Sequence, residues 1–350
     1  MDWYANPAAR TRSCDAAPAD VLAFHRQLPG YAPTPLVELP SVAAELNVRR
    51  LLVKDESSRL GLPAFKVLGA SWAVARLVAA RAGLRGPLTL DRLRAAVGPL
   101  TLVTATDGNH GRAVARMARL LGAAAHVLVP DVVPDRAARL IADEGAKVTT
   151  LPGPYDQTVA EAARVAAGDP DAELVQDTAW PGYETVPGWV VEGYATLPAE
   201  IGPVPDLVVV PIGVGSLAQA VVTHYRSGGR AAAVLGVEPE TAACVLASLR
   251  AGRRRSVRTG ATVMAGLNCG TPSSLAWPVL RDGLDAAVAV SDDQASRAVA
   301  DLGDLGVSSG PSGAATLAAA RAALGEEARR AALRVGPEAT VVLLSTEGRA

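Results

Sequence analysis

The chain has 350 residues and is short of cysteine, histidine, aromatic side chains, excess charge and long apolar runs. Each shortage excludes something. Its three cysteines, Cys14, Cys244 and Cys269, form no Cys-x-x-Cys pair, which argues against a disulfide framework or a zinc site. Only four histidines occur, widely scattered. Aromatic residues make up 4% of the chain while alanine is abundant, a composition that reflects codon usage more than function. With 34 basic and 35 acidic residues the net charge is −1, so neither a nucleic-acid-binding stripe nor an acidic solvating tail is present. No uncharged apolar run reaches the roughly 18 residues that a membrane span needs. The opening "MDWYANPAARTRSCDAAP" has no apolar core of the kind a secretory signal carries. The expectation is a reduced, cytoplasmic protein without nucleic-acid or membrane partners, large enough for two domains or one big α/β unit.

What is present is alternation. Apolar runs such as "TLVTAT" (101–106), "AHVLVP" (125–130), "AKVTTLP" (146–152), "ELVQDTA" (173–179), "DLVVVPIG" (206–213), "AVLGVEP" (233–239), "AAVAVSD" (286–292) and "TVVLLST" (340–346) are separated by helical patterns. Short runs apolar on both faces predict buried parallel strands, and strand–helix alternation predicts βαβ units. About eight to ten strands crowd one sheet, so two doubly wound α/β domains with mostly parallel sheets are expected. The seams are placed in 82–99 and 179–189, giving a large domain of 1–84 with 180–350 and a small one of 85–179. The basic loop "AGRRRSVRTG" (251–260) is read as a solvated connection.

In such folds chemistry collects where strands end and helices begin. "PIGVGSLA" (211–218) follows an apolar strand, and its Gly213 and Gly215 allow close backbone approach, with amides of the next helix free to hold a phosphate. It also satisfies the dinucleotide fingerprint, with Glu238 about where a ribose-binding acid belongs, so a nicotinamide or flavin enzyme is a rival. Lys66 lies in "AFKVLGASWAVARLV" between apolar neighbours Phe65, Val67 and Leu68. An amine held out of water there would be a nucleophile rather than a surface charge. "DGNHG" (107–111) is either a bare turn or a site loop with Asn109 as donor and Asp107 near substrate, and His110 reads as structural. Asp177 in "QDTAWPGYE" is either a helix cap or an acid that exchanges protons. "STEG" (345–348) either satisfies backbone groups or turns a hydroxyl toward a ring nitrogen.

One cofactor uses all these parts. Pyridoxal 5′-phosphate needs a lysine for its aldehyde, a glycine-rich helix start for its phosphate, a donor to its ring oxygen and a partner for its pyridine nitrogen.

At this point the chain resembles the fold-type-II pyridoxal phosphate family, and within it the diaminopropionate ammonia-lyase branch. The matching stretches are "YAPTPLVELP", "KDESSRLGLPAFKVLGAS", "TATDGNHGRAVA", "VQDTAWPGYE", "GVGSLA", "GVEPETAAC", "MAGLNCGTPSSLAW" and "LLSTEG", spread over about 31–348. The resemblance implies a tryptophan synthase β-like fold and a homodimer whose subunits hold the cofactor between two domains. It makes Lys66 the Schiff-base lysine and Asn109 the partner of the ring oxygen. Gly213, Val214, Gly215, Ser216 and Leu217 would cradle the phosphate, and a hydroxyl of Ser345 or Thr346 would face the pyridine nitrogen. Asp107 and Asp177 match the acids the family uses at the substrate, serving opposite stereoisomers. The implied reaction is α,β-elimination of ammonia from a small amino acid, 2,3-diaminopropionate, giving pyruvate and ammonia. Cys244 and Cys269 match cysteine positions of relatives, and a reducing compartment favours thiols there.

The chain also departs from the branch. Pro63 replaces a polar residue, Asn268 and Thr271 stand in "LNCGTP" where Ala and Glu are commoner, and Gly310 and Pro311 precede the "SGA" that usually follows an acid. These positions bear on the substrate pocket, so another β-substituted alanine is an open alternative. So are a β-replacement synthase, a serine/threonine dehydratase, the nicotinamide-dependent dehydrogenase and a cofactor-binding relative without turnover.

Overall fold

The computed structural model describes residues 2–106, 108–153, 155–229 and 231–349. The chain divides into two compact units, one of Met1–Ala17, Pro33–Phe65 and Leu197–Ala350, the other of Pro18–Ala32 and Lys66–Thr196.

The first unit is built on a seven-stranded sheet. Its strands are β1 (Trp3–Ala5), β2 (Leu36–Glu38) and β3 (Arg50–Asp55), and later in the chain β8 (Leu207–Pro211), β9 (Ala233–Pro239), β10 (Ala286–Val290) and β11 (Thr340–Ser345). They lie in the order β1-β10-β9-β8-β11-β3-β2, and only the edge strands β1 and β2 run antiparallel to their neighbours. Inner strands such as β8 and β10 form because their residues are apolar on both faces: all of Leu207–Pro211 and all of Ala286–Val290 are buried. Val53, Val209, Leu235, Val288 and Leu343 share one core with the Pro311–Leu324 helix, which is buried along nearly its whole length.

The second unit carries a four-stranded parallel sheet in the order β6-β5-β4-β7, from β4 (Thr101–Ala105), β5 (Ala124–Pro130), β6 (Lys147–Leu151) and β7 (Ala172–Leu174). Its core holds Val103, Ala105, Leu128 and Ala162. The expected α/β class is observed, and its eight apolar runs all contain strands. Three strands outside those runs add to them: the short edge strands β1 and β2, and the six-residue inner strand β3.

The unit boundaries differ from the expected seams. The Lys66–Arg81 helix falls in the second unit because twelve of its residues, Val67 to Val74 among them, are buried, and it packs against the Asn109–Leu121 and Thr185–Tyr194 helices. Trp72 donates to Glu192 at 2.8 Å, and Arg76 lies over the rings of Trp72 and Trp189. The segment 82–99, expected as a seam, instead contains the Leu90–Ala96 helix, capped by the Thr89 hydroxyl. Composition rich in Gly, Pro and Arg marks turns, but it does not say whether a turn leaves its unit. The loop 251–260 is mostly exposed, as expected.

Candidate active site

Lys66 is the first residue of its helix. The residues before it are pinned within the first unit: Phe65 donates its amide to Thr346 O at 3.2 Å, Gly348 donates to Pro63 O at 2.9 Å, and Ala64 bridges Glu347. The residue preceding the lysine is thus fixed to the strand end that bears the Ser345 and Thr346 hydroxyls. Lys66 is less buried than its apolar flanks suggest. Its side chain is 25% exposed, and its Nζ donates to Asp177 Oδ2 at 2.5 Å. Burial alone would push the Asp177 carboxyl up. The charges of Lys66 and His110 and the hydrogen bond from Lys66 outweigh it and hold the carboxyl down at about 2.

Asp177 reaches that lysine because the β7 strand stops early. The run 173–179 reads as one strand, yet the ladder ends at Leu174, with Val175 N donating to Val103 O at 2.8 Å as its last main-chain bond. The Val175 carbonyl accepts instead from His110 Nε2 at 2.8 Å, which makes that nitrogen a donor, and Nδ1 lies 4.0 Å from Asp177 Oδ2. His110 is therefore structural, as expected, but it also adds to the field around the acid.

The turn "TATDGNHG" is set by residues the motif reading passed over. The Thr106 hydroxyl accepts from the amides of Gly108 and Gly111, both at 3.0 Å, and so caps the helix that begins at Asn109. Gly111 is required by closeness: a Cβ there would meet Thr106 Cγ2 at 2.3 Å and Val127 Cγ1 at 2.7 Å. Asn109 stands at the helix start, half-buried. Asp107 lies outside the described residues.

The glycine turn after β8 belongs to the first unit. Gly215 has φ +99° and precedes the Ser216–Tyr225 helix, whose first backbone ladder bond runs from Gln219 N to Gly215 O at 2.8 Å. The amides of Leu217 and Ala218 lie ahead of that bond in the first turn, the part of a helix start that suits a phosphate. A Cβ at Gly213 would sit 3.0 Å from Gly266 O and 3.1 Å from Cys269 Sγ, and one at Gly215 would sit 2.9 Å from Leu280 Cδ1. The positive φ favours glycine at 215, and a side chain at 213 would press on Gly266 O and Cys269 Sγ. Ser345 is fully buried, its hydroxyl 2.8 Å from that of Ser309, and Thr346 is buried beside it. These donors fit a phosphorylated pyridine aldehyde.

Glu238, the ribose acid of the dinucleotide reading, is otherwise engaged. It is fully buried and accepts the amides of Val245 and Leu246 at 2.8 and 2.7 Å, so it caps the Cys244–Ala251 helix. Burial pushes it up to about 7 despite those amides. Cys14, Cys244 and Cys269 are thiols, and Cys244 Sγ lies 3.7 Å from Gly213 O. No group of three or more His, Cys, Asp or Glu among the described residues can hold a metal ion, and no helix there is long and apolar enough to cross a membrane.

An α/β chain with a lysine at a helix start, a carboxylate on its Nζ and a glycine turn opening another helix is of the kind that binds a phosphorylated aldehyde cofactor. Residues 27–347 match the family described as pyridoxal-phosphate dependent enzyme, and the chain belongs to that family. It is 36% identical over 346 residues to the diaminopropionate ammonia-lyase of Escherichia coli strain K12, covering 93% of this chain and 86% of that one. The holo crystal structure of the Escherichia coli enzyme has a TM-score of 0.90 at 33% identity, covering 99% and 93% of the two chains. Its complex with an aminoacrylate–pyridoxal phosphate azomethine reaction intermediate has a TM-score of 0.87 at 32% identity, with the same coverage. The fold is therefore fold type II, the cofactor is pyridoxal 5′-phosphate, and the dehydrogenase alternative falls.

Proposed function

We propose that the protein eliminates ammonia from 2,3-diaminopropionate, or from a close β-substituted alanine, to give pyruvate and ammonia. The observation that carries this reading is the Lys66–Asp177 pair at 2.5 Å, in a chain 36% identical to a diaminopropionate ammonia-lyase. Bound here, pyridoxal phosphate supplies an electron sink for the Cα–H bond of the amino acid. Lys66 Nζ binds the aldehyde, and the amides and hydroxyl of Gly213, Val214, Gly215, Ser216 and Leu217 bind the phosphate. Asn109 donates to the ring oxygen, and Ser345 or Thr346 turns a hydroxyl to the pyridine nitrogen.

Asp177, held at about 2, is ionised at any working pH. A carboxylate that acidic is a weak base but a strong partner for a cation. It is suited to keep an amine beside it protonated, which the β-amino group must be in order to leave as ammonia. Lys66, once its Nζ is a free amine, is the stronger base for the Cα proton and can pass a proton with Asp177 along their hydrogen bond. Asp107 takes the equivalent part for the opposite stereoisomer. The same reading includes a cytoplasmic homodimer, for which the free thiols and the family resemblance are the support.

The test is to offer purified, cofactor-loaded protein a panel of D- and L-β-substituted alanines and to measure pyruvate and ammonia together. Two ammonia per pyruvate from diaminopropionate is the expected result. A 2-oxo acid from serine or threonine with no turnover of diaminopropionate would assign a dehydratase, and a new substituted amino acid a β-replacement synthase.

A further inference from the structure

The Gln176 side chain does the work of a missing strand residue. In a parallel ladder the residue after Val103 that faces β7 is Ala105, and its amide and carbonyl should pair with Val175 O and Asp177 N. They do not. Ala105 N donates to Gln176 Oε1 at 3.0 Å, and Gln176 Nε2 donates to Ala105 O at 3.1 Å. The carboxamide has the same donor and acceptor as a peptide group and takes its place. The Thr104 hydroxyl adds a bond to Oε1 at 3.1 Å, and Nε2 also donates to the Tyr155 hydroxyl at 2.8 Å. On the main chain, Gln176 N donates to the Tyr183 hydroxyl at 2.9 Å, which donates in turn to Leu174 O at 2.8 Å. Gln176 is fully buried. Every bond lies within the second unit.

Because the side chain holds β4, the backbone at 176–177 is free to leave the sheet. The sheet edge stays closed while Asp177 turns out to meet Lys66. We propose that Gln176 is a positioning residue for the reaction, acting through Asp177 by ending the main-chain bonds of the β7 edge at Val175, two residues before the acid. This rests on the reading of Asp177 as the group that faces the reacting amines.

Two substitutions separate positioning from mere stability. Gln176→Met keeps the volume and removes all four side-chain bonds. Gln176→Glu keeps a donor and an acceptor toward Ala105 only while the carboxyl is protonated. Burial raises the pKa of such a group, and the titratable groups around the position are Tyr155, Tyr183, His110 and Asp177. In the loaded enzyme, Gln176→Met is expected to lower kcat about 10- to 100-fold with KM little changed, the scale of a roughly 1 Å misplacement. Gln176→Glu is expected to approach the wild-type kcat in mild acid and to fall toward the Met variant as pH rises. Hydrogen exchange at 104–106 should accelerate in Gln176→Met, with distant strands unchanged.

The proposal is overturned if both variants keep wild-type kcat per folded enzyme, if both lose it equally at every pH, or if exchange at 104–106 is unaltered. Should Gln176→Met fail to accumulate, the pH response of Gln176→Glu decides alone. The exchange measurement needs no substrate. If the wild type turns over nothing in the panel, the elimination reading falls, while exchange still reports whether the amide holds the strand end.

Discussion

The molecule contains two lysine–carboxylate pairs of nearly equal length and opposite character. In the first unit, Lys54 Nζ donates to Glu200 Oε2 at 2.7 Å and to Thr34 O at 2.8 Å. Arg59 grips both Glu200 and Glu56 with bonds of 2.7 to 2.8 Å, and these side chains are 0–3% exposed. In the second unit, Lys66 meets Asp177 at 2.5 Å with a quarter of its side chain exposed. Burial pulls the Lys54 ammonium down against the pull of Glu200, and with its side chain 1% exposed water barely reaches it. Charge and distance alone therefore do not distinguish the two lysines. Access does: Lys54 is a buried strut, and Lys66 is a partly exposed amine.

The comparison can be broken most directly by reductive trapping. Borohydride treatment of the loaded protein should fix the cofactor on Lys66 and on no other lysine, as read by peptide mass mapping. Lys66→Ala should lose all covalent cofactor and all turnover, and a label on Lys54 would erase the distinction drawn here. Next in size, Asp177→Asn should lower kcat/KM by about 10²- to 10⁴-fold, the range of a lost acid–base group. The loss should differ between D- and L-substrate, with Asp107→Asn showing the opposite preference. Equal, small losses would remove these acids from the chemistry.

The buried pair should respond in stability instead. Arg59→Ala strands Glu56 and Glu200 in the interior and should cost about 3–5 kcal/mol in denaturant unfolding. Little loss would mean that water relaxes into the site. The smallest effects lie in pH. Burial raises Glu200, but Arg59 and Lys54 overcome this and hold it at about 2, below the ordinary 4.5. Its contribution is therefore complete above 4.5 and is lost as pH falls toward 2. Glu238, raised to about 7, has the opposite sign: the fold favours its protonated form, so stability declines as pH rises from 4.5 through 7. Glu200→Gln should flatten the acid limb of a melting-temperature profile, and Glu238→Gln the limb between 4.5 and 7.

Much of this was legible in the chain. Strands with two apolar faces announce themselves, as in Leu207–Pro211, because a strand buried on both sides admits little else. Lys66, Asp177 and the 213–217 turn stand out in the chain because a lysine, an acid and paired glycines at strand ends and helix starts are uncommon there. Short edge strands were missed, since three residues such as Leu36–Glu38 carry no period. The seams were misplaced because turn composition does not reveal which core a helix joins. Gln176 and Thr106 went unread: an amide or a hydroxyl beside an acid has no signal until its partners are known.

The sequence by itself determined the alternation of strand and helix, the apolar cores and the candidate site side chains, because these depend on local pattern and residue chemistry. Only the tertiary structure decided that Lys54 is a buried strut and Lys66 an accessible amine, that Glu238 caps a helix, and that β7 ends at Leu174. Those outcomes depend on which distant donors and acceptors are brought together and from which of them water is shut out, and no window along the chain contains that information.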